Sequence, residues 1–320
     1  MNNPTFMGVP LLARSNCEAV KLALGICELN AISGYEIARR SWARACFFMR
    51  IRHSAILGEE FVVRSGMVSD VTQIRLSPSR IAEFNNCPRL YKYRVIEQLP
   101  EPPSIDAERG TLIHTILEDL FDLPPSNRNH QSAIEMAPER WRVQVSQKPA
   151  LAELVTNEKE WFDRVSSLLM NYFALEKPET FEATHREMHL EQDLNSSVYL
   201  HGYVDRIDVA PTGEVRIVDY KSGKSPKAGW EEKALFQLRV YALLYWRLHG
   251  SIPSLLVLHY LGDTRSVKSS PTEKELLSTE KKLLQIADEI ISAIENDHFP
   301  PKASRLCDWC FFKSICPAHN

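Results

Sequence analysis

The chain has 320 residues, 44% of them hydrophobic and 25% charged, with a formal net charge of -3. That is enough chain for one large or two modest globular domains, and the composition excludes collagenous and low-complexity classes. No apolar run reaches the ~18 residues that a membrane helix needs, and the N-terminus lacks the pattern of a secretory signal, so the expectation is a soluble, cytoplasmic protein with no membrane partner.

Charge is unevenly placed. Residues 1–66 carry 8 Lys and Arg against 5 Asp and Glu, a balance of +3, which leaves -6 for the remainder. Any nucleic-acid contact by the body must therefore run through a local channel. Residues 1–70 read as a poorly defined, weakly helical extension. In it Arg39, Arg40, Arg44, Arg50 and Arg52 cluster with Trp42, Phe47 and Phe48. Met67 precedes the first well-formed element, so translation starting there is a second reading of this stretch. Cys17, Cys27 and Cys46 are expected to be small buried hydrophobes or free thiols.

The first clear element opens at Ser77-Pro78, an N-cap followed by proline at the first helical position. The helix runs through SRIAEFNNCPRLYKYRV, is interrupted near Cys87-Pro88, and ends at the Pro-rich LPEPPSID. A helix over about 107–121 follows, with Ile113, Ile116, Leu117, Leu120 and Phe121 as its buried stripe. Helices at roughly 131–146 and 150–175 fill the middle. The pattern then switches to strands in EMHLEQDL, VYLHGYVDRIDV and EVRIVDYKSG. A helix over 231–248, the strand LLVLHYL, a charged helix over 272–296 and a cysteine-bearing tail complete the chain. Strands alternating with helices, and joined in part by hairpins, imply a mixed α/β core.

The chemistry concentrates on one hairpin. Ala210-Pro211-Thr212-Gly213-Glu214 suits a three-residue loop with Gly213 left-handed. Centred on Thr212, the register pairs Val209 with Val215 and Ile207 with Ile217. Asp205 and Asp219 come next, with Lys221 two residues beyond Asp219 on the same face. Facing carboxylates repel. A divalent cation between them would relieve that, and oxygen ligands suit Mg²⁺ or Mn²⁺. A surface ladder in which Asp205 pairs with Arg206 or Lys221 accounts for the hairpin equally well. Two further features weigh against the ladder. Gly110-Thr111-x-x-His114 offers an imidazole beside a glycine that permits close approach. Gln237 and Tyr241 lie one helical turn apart on the helix after the hairpin.

Taken in order, GTLIH, GYVDRID, VDYKSG and QLRVY resemble the RecB-like branch of the PD-(D/E)XK nuclease superfamily, over about residues 76–320. The resemblance implies a restriction-endonuclease-like mixed sheet flanked by helices. It also implies a metal held by His114, Asp205, Asp219 and the Tyr220 carbonyl, a catalytic Lys221, and Gln237 and Tyr241 as the motif that follows. Two positions depart from the usual pattern: Val204 stands where proline is common, and the second acid is Asp219 rather than glutamate.

Cys87, in CPRLYKY, and Cys307, Cys310 and Cys316, in C-x₂-C-x₅-C-P, resemble the iron–sulfur staple of RecB-like nucleases, including AddB-type and CRISPR-associated members. Four thiolates suit a 4Fe–4S cluster, with zinc as the lesser alternative. The expected function is a Mg²⁺- or Mn²⁺-dependent deoxyribonuclease, an exonuclease of DNA repair or recombination acting on single strands or duplex ends. The second reading is a non-catalytic iron–sulfur DNA-binding module. The GKS at 223–225 lacks the glycine that a phosphate loop needs five residues earlier, so any helicase would be a separate chain.

Overall fold

The structure is a computed structural model that describes residues 73–227 and 229–319. The expectations for the 1–70 extension, its basic-aromatic cluster, a start at Met67, and Cys17, Cys27 and Cys46 lie outside those residues.

Strand β1 (Ile74–Leu76) leads straight into helix α1 (Pro78–Asn86). Ser77 is extended, and its Oγ accepts the Arg80 N–H, while Pro78 fills a position that needs no donor. The helix stops at Cys87 because Pro88 disfavours helical geometry in the residue before it. The chain resumes as α2 (Pro88–Tyr91), which widens into a π turn over Lys92–Ile96.

Helices α3 (Ile105–Leu120), α4 (His130–Gln147), α5 (Leu151–Leu154) and α6 (Glu158–Leu175) follow. The expected single helix over 150–175 is broken at residues 155–157, where the Asn157 side chain accepts the Glu160 N–H and starts α6 afresh.

Next come β2 (His185–Asn195), β3 (Val198–Val209), β4 (Val215–Lys221), helix α7 (Glu231–His249), β5 (Leu255–Tyr260), β6 (Arg265–Ser269) and helix α8 (Glu273–Glu295). Strands β1 and β6 have no counterpart in the sequence pattern. The first is three residues long, and the second, RSVKS, carries one apolar residue. Helix α8 opens with a capping box between Thr272 and Glu275.

The sheet order is β1-β3-β4-β5-β6, with β2 on the other edge of β3. Pairs β1/β3 and β4/β5 are parallel, and the rest are antiparallel. Each face has its own core. Ile217, Leu256 and Leu258 pack with α1, α7 and α8, whereas Val218, Tyr220 and Val257 pack with α3, α4 and α6. This is the mixed α/β core that the alternation of elements predicts, in the restriction-endonuclease-like arrangement that the resemblance implies.

Strand β3 is the branch point. Residues 198–200 pair with β1 and 206–209 pair with β4, both on one edge. Between them, residues 201–205 have β2 on one side and no strand among the described residues on the other. The sheet therefore forks, and the fork opens beside the end of β4.

Candidate active site

The hairpin register holds as far as the turn chemistry controls it. Gly213 has φ +96°, and Val209 faces Val215 and Ile207 faces Ile217. The ladder ends at Arg206 and Val218, one step short of the expected Asp205–Asp219 pair. Val204 and Ile207 are three residues apart yet pack in the same core. The in–out alternation of β3 thus changes phase at Asp205–Arg206. Asp205 turns to the Tyr220 backbone, whose N–H donates to its Oδ2 over 2.7 Å.

Helix α3 brings His114 to the same point. Its Nε2 lies 2.9 Å from the Tyr220 carbonyl oxygen, and its Nδ1 lies 3.5 Å from Asp205 Oδ2. At Gly110 a Cβ would sit 3.3 Å from Ser222 Oγ, a tight contact with a side chain that can turn away. His114, Asp205 and the Tyr220 carbonyl are therefore together.

A residue that the sequence pattern did not single out joins them. Glu187 of β2 lies between Arg186, paired with Arg206, and Met188, paired with Val204. It is thus the register neighbour of Asp205, and it has φ +45°, a left-handed conformation that costs a glutamate on the order of 1–3 kcal/mol. One ligand atom each from His114, Glu187 and Asp205 lie within 4.8 Å of one another, the only such trio of His, Cys, Asp or Glu among the described residues. Burial and then the charge of Asp219 push the Asp205 carboxyl up to about 7. Burial also raises Glu187, with Asp219 adding to the shift. Extending the hairpin register from β3/β4 to β2/β3 would have placed Glu187 opposite Asp205, but its backbone kink leaves no mark in the sequence.

Asp219 is held from the α7 side. Lys221 Nζ is 2.5 Å from its Oδ2, and the Gln237 amide donates to its Oδ1 over 2.9 Å. The same amide lies 3.2 Å from Tyr241 Oη. Burial opposes the Lys221 charge, but Asp219 outweighs it and the lysine pKa is raised. The Tyr241 ring crosses β3 at Gly202, where a Cβ would fall 2.7 Å from ring carbon Cε1. Asp219, Lys221, Gln237 and Tyr241 therefore form a second group, adjoining the first through the mutual repulsion of Asp205 and Asp219.

Behind the site, Arg206 is 1% exposed and bonds the Tyr220 hydroxyl. It pairs with Glu176 at 2.8 Å and Asp208 at 3.1 Å, and His259 Nε2 lies 3.3 Å from Glu176. Burial opposes ionisation of Glu176, but His259 and Arg206 prevail and hold its carboxyl well below the usual range. This network fixes the Tyr220 side chain, and with it the backbone that meets Asp205 and His114.

Cys87, Cys307, Cys310 and Cys316 are free and line one cavity of about 30 Å³. The Lys302 N–H points at Cys87 Sγ and the Ser304 N–H at Cys307 Sγ, each over 3.4 Å. The tail that carries three of them is thinly anchored. Phe299 and Phe312 are buried, while Leu306, Trp309, Phe311 and Ile315 are 52–78% exposed. The Tyr93 hydroxyl donates to the Ile315 carbonyl at 3.0 Å, joining the two ends of the described chain.

Known proteins resemble this chain in sequence and in fold. A family model described as the PD-(D/E)XK nuclease superfamily matches residues 75–317. The Gene 69 protein of Mycobacterium phage L5 is 22% identical over 286 residues, covering 75% of this chain and 95% of the phage protein. The Gene 69 protein of Mycobacterium phage D29 is 26% identical over 207 residues, covering 56% and 73%. A crystal structure from Eubacterium rectale, provisionally described as an exonuclease, shares the fold. Its TM-score is 0.50 at 13% identity, over 77% of this chain and 93% of that one. No helix among the described residues is long and apolar enough to cross a membrane.

Proposed function

This chain belongs to the PD-(D/E)XK nuclease superfamily, and we propose that it is a Mg²⁺- or Mn²⁺-dependent deoxyribonuclease of the RecB-like branch, acting as an exonuclease in cytoplasmic DNA repair or recombination. Membership makes it a phosphodiester hydrolase. The finer reading rests chiefly on one observation: His114, Glu187 and Asp205 converge where Asp219 and Lys221 adjoin. Buried carboxylates with raised pKa values gain most from a bound cation, and an imidazole with carboxylate and carbonyl oxygens is a donor set that suits these metals.

A divalent cation bound there supplies a Lewis acid and a water of lowered pKa. His114, Asp205, Asp219 and the Tyr220 carbonyl would hold it, with Glu187 added by the geometry. Lys221 holds a positive charge where the phosphoryl oxygens gain negative charge. Gln237 fixes the Asp219 carboxylate through Oδ1, leaving Oδ2 to Lys221.

The four cysteines line one cavity, a donor set that suits a Cys₄ metal centre, and an iron–sulfur cluster stands ahead of zinc because one cysteine lies far upstream of three clustered ones. Closing residue 87 onto 307 would stabilise the fold by roughly 5 kcal/mol if loop entropy governs it.

The test is cleavage of end-labelled single- and double-stranded DNA with Mg²⁺ or Mn²⁺. Metal-dependent release of nucleotides from an end supports the reading. DNA binding without cleavage under either metal would replace it with the iron–sulfur binding module. A helicase acting with this chain is part of the proposal only as a separate protein.

A further inference from the structure

The sheet fork opens onto a groove of about 810 Å³. Lys221, Gln237 and Tyr241 are among its lining, so the groove adjoins the candidate active site. Two large rings stand on its walls in water, Tyr203 at 50% exposure and Trp230 at 68%. Rings this exposed add little to the core. Tyr203 is also pre-set, because it stacks on His189, its register partner on β2, with centroids 4.5 Å apart and planes 22° from parallel. Tyr203 is two residues from Asp205, which is roughly 7 Å along a strand. Lys233 and Lys282 add ammonium groups to the wall. Its one carboxylate, Glu232, is engaged by Arg239.

From this arrangement we infer that the groove takes an unpaired nucleic-acid strand, with bases stacked on Tyr203 and Trp230, and that these rings set a preference for single strands over duplex. The inference rests on the nuclease reading and adds to it the residues that choose the strand. Unpaired bases offer free faces to aromatic side chains, and lysines follow the backbone without regard to sequence. In a duplex those faces are already stacked, so the rings gain nothing there. The Tyr203 position places its base next to the phosphate at Asp205.

The experiment measures binding apart from chemistry. Fluorescence anisotropy, with Ca²⁺ replacing Mg²⁺, compares a labelled single-stranded oligothymidylate with a blunt duplex of equal length. The proteins are wild type, Trp230→Ala, Tyr203→Ala and Tyr203→Phe. Each alanine variant should weaken single-strand binding by about tenfold and duplex binding by less than about twofold, while Tyr203→Phe binds as wild type. A 2-aminopurine in the strand should be quenched by wild type and less so by the alanine variants. Alanine variants that bind the single strand as wild type does, or that lose both substrates equally, would overturn the inference. Ring-dependent binding by a wild-type protein that cleaves nothing would sustain it and defeat the nuclease reading instead.

Discussion

The Asp205 carboxylate accepts a hydrogen bond from the Tyr220 backbone N–H over 2.7 Å, while the Tyr220 carbonyl lies 2.9 Å from His114 Nε2. One residue of β4 thus connects an acid on β3 to an imidazole on α3. Its side chain is fastened from behind by Arg206, so the backbone between the two groups has little freedom to drift.

This connection separates the structural role of Asp205 from its charge. The carboxyl is pushed up to about 7 from an ordinary 3.8. Below about pH 4 it is protonated in folded and unfolded chains alike, and no penalty arises. Above about pH 7 it is ionised in both, and the full penalty falls on the folded state. An asparagine side chain at this position would keep the acceptor for Tyr220 without the charge. Asp205→Asn should therefore match wild type in metal-free stability near pH 4 and exceed it at pH 8, by on the order of 4 kcal/mol at most. Urea denaturation with chelator at the two pH values measures this, and a less stable variant at pH 8 contradicts it.

Glu187 should matter for metal before it matters for DNA. With Glu187→Gln, the Mg²⁺ concentration for half-maximal cleavage should rise by about tenfold or more, with oligonucleotide binding in Ca²⁺ little changed. Glu187→Gly should share that loss yet be more stable without metal, because glycine adopts φ +45° without strain. Unaltered metal dependence in both variants would remove Glu187 from the site.

Glu176 supplies the acid-sensitive link of the supporting network. Its folded pKa is depressed, so its stabilisation is present above the ordinary carboxylate range and is lost as pH falls toward the folded value. Glu176→Gln leaves the buried Arg206 short of a counter-charge and should cost about 3–5 kcal/mol at pH 7. The gap to wild type should narrow below about pH 4. A pH-independent difference would show that shape, not charge, is what Glu176 contributes.

Much of this was readable in the sequence, and what was missed shares a cause. The β3–β4 register follows from one glycine and two pairs of β-branched residues, which is local chemistry. That Gln237 and Tyr241 meet follows from helical spacing, and their place in the site came from the resemblance. The Asp205–Asp219 ladder pair failed because the strands part at Arg206 and β3 shifts phase there, which depends on the packing of Tyr220 and Arg206 from the far face. Glu187 was within reach of the β2/β3 register, but its kink was not, since a residue that breaks alternation looks like an ordinary polar strand residue. Strands β1 and β6 owe their existence to neighbours in the sheet, not to any pattern of their own.

The cysteine tail tests the staple. Anaerobically purified protein should be brown, with iron and sulfide in near-equal amounts, whereas zinc would leave it colourless. Cys310→Ala should lose the colour and expose residues 77–95 and 297–320 to protease, because four of the six large apolar side chains of the tail are exposed and cannot hold it down. Retention of fold, protease resistance and cleavage when all four cysteines are replaced would show them to be ordinary residues.

The most direct measurement is metal-dependent cleavage of end-labelled DNA by wild type beside Asp219→Ala and Lys221→Ala, with DNA affinity recorded in Ca²⁺ for each. Wild type should cleave with Mg²⁺ or Mn²⁺. Both variants should bind DNA, with cleavage reduced by roughly a hundredfold or more, as expected when electrostatic stabilisation of the transition state is removed. Undiminished cleavage by Asp219→Ala would contradict the assignment of this site.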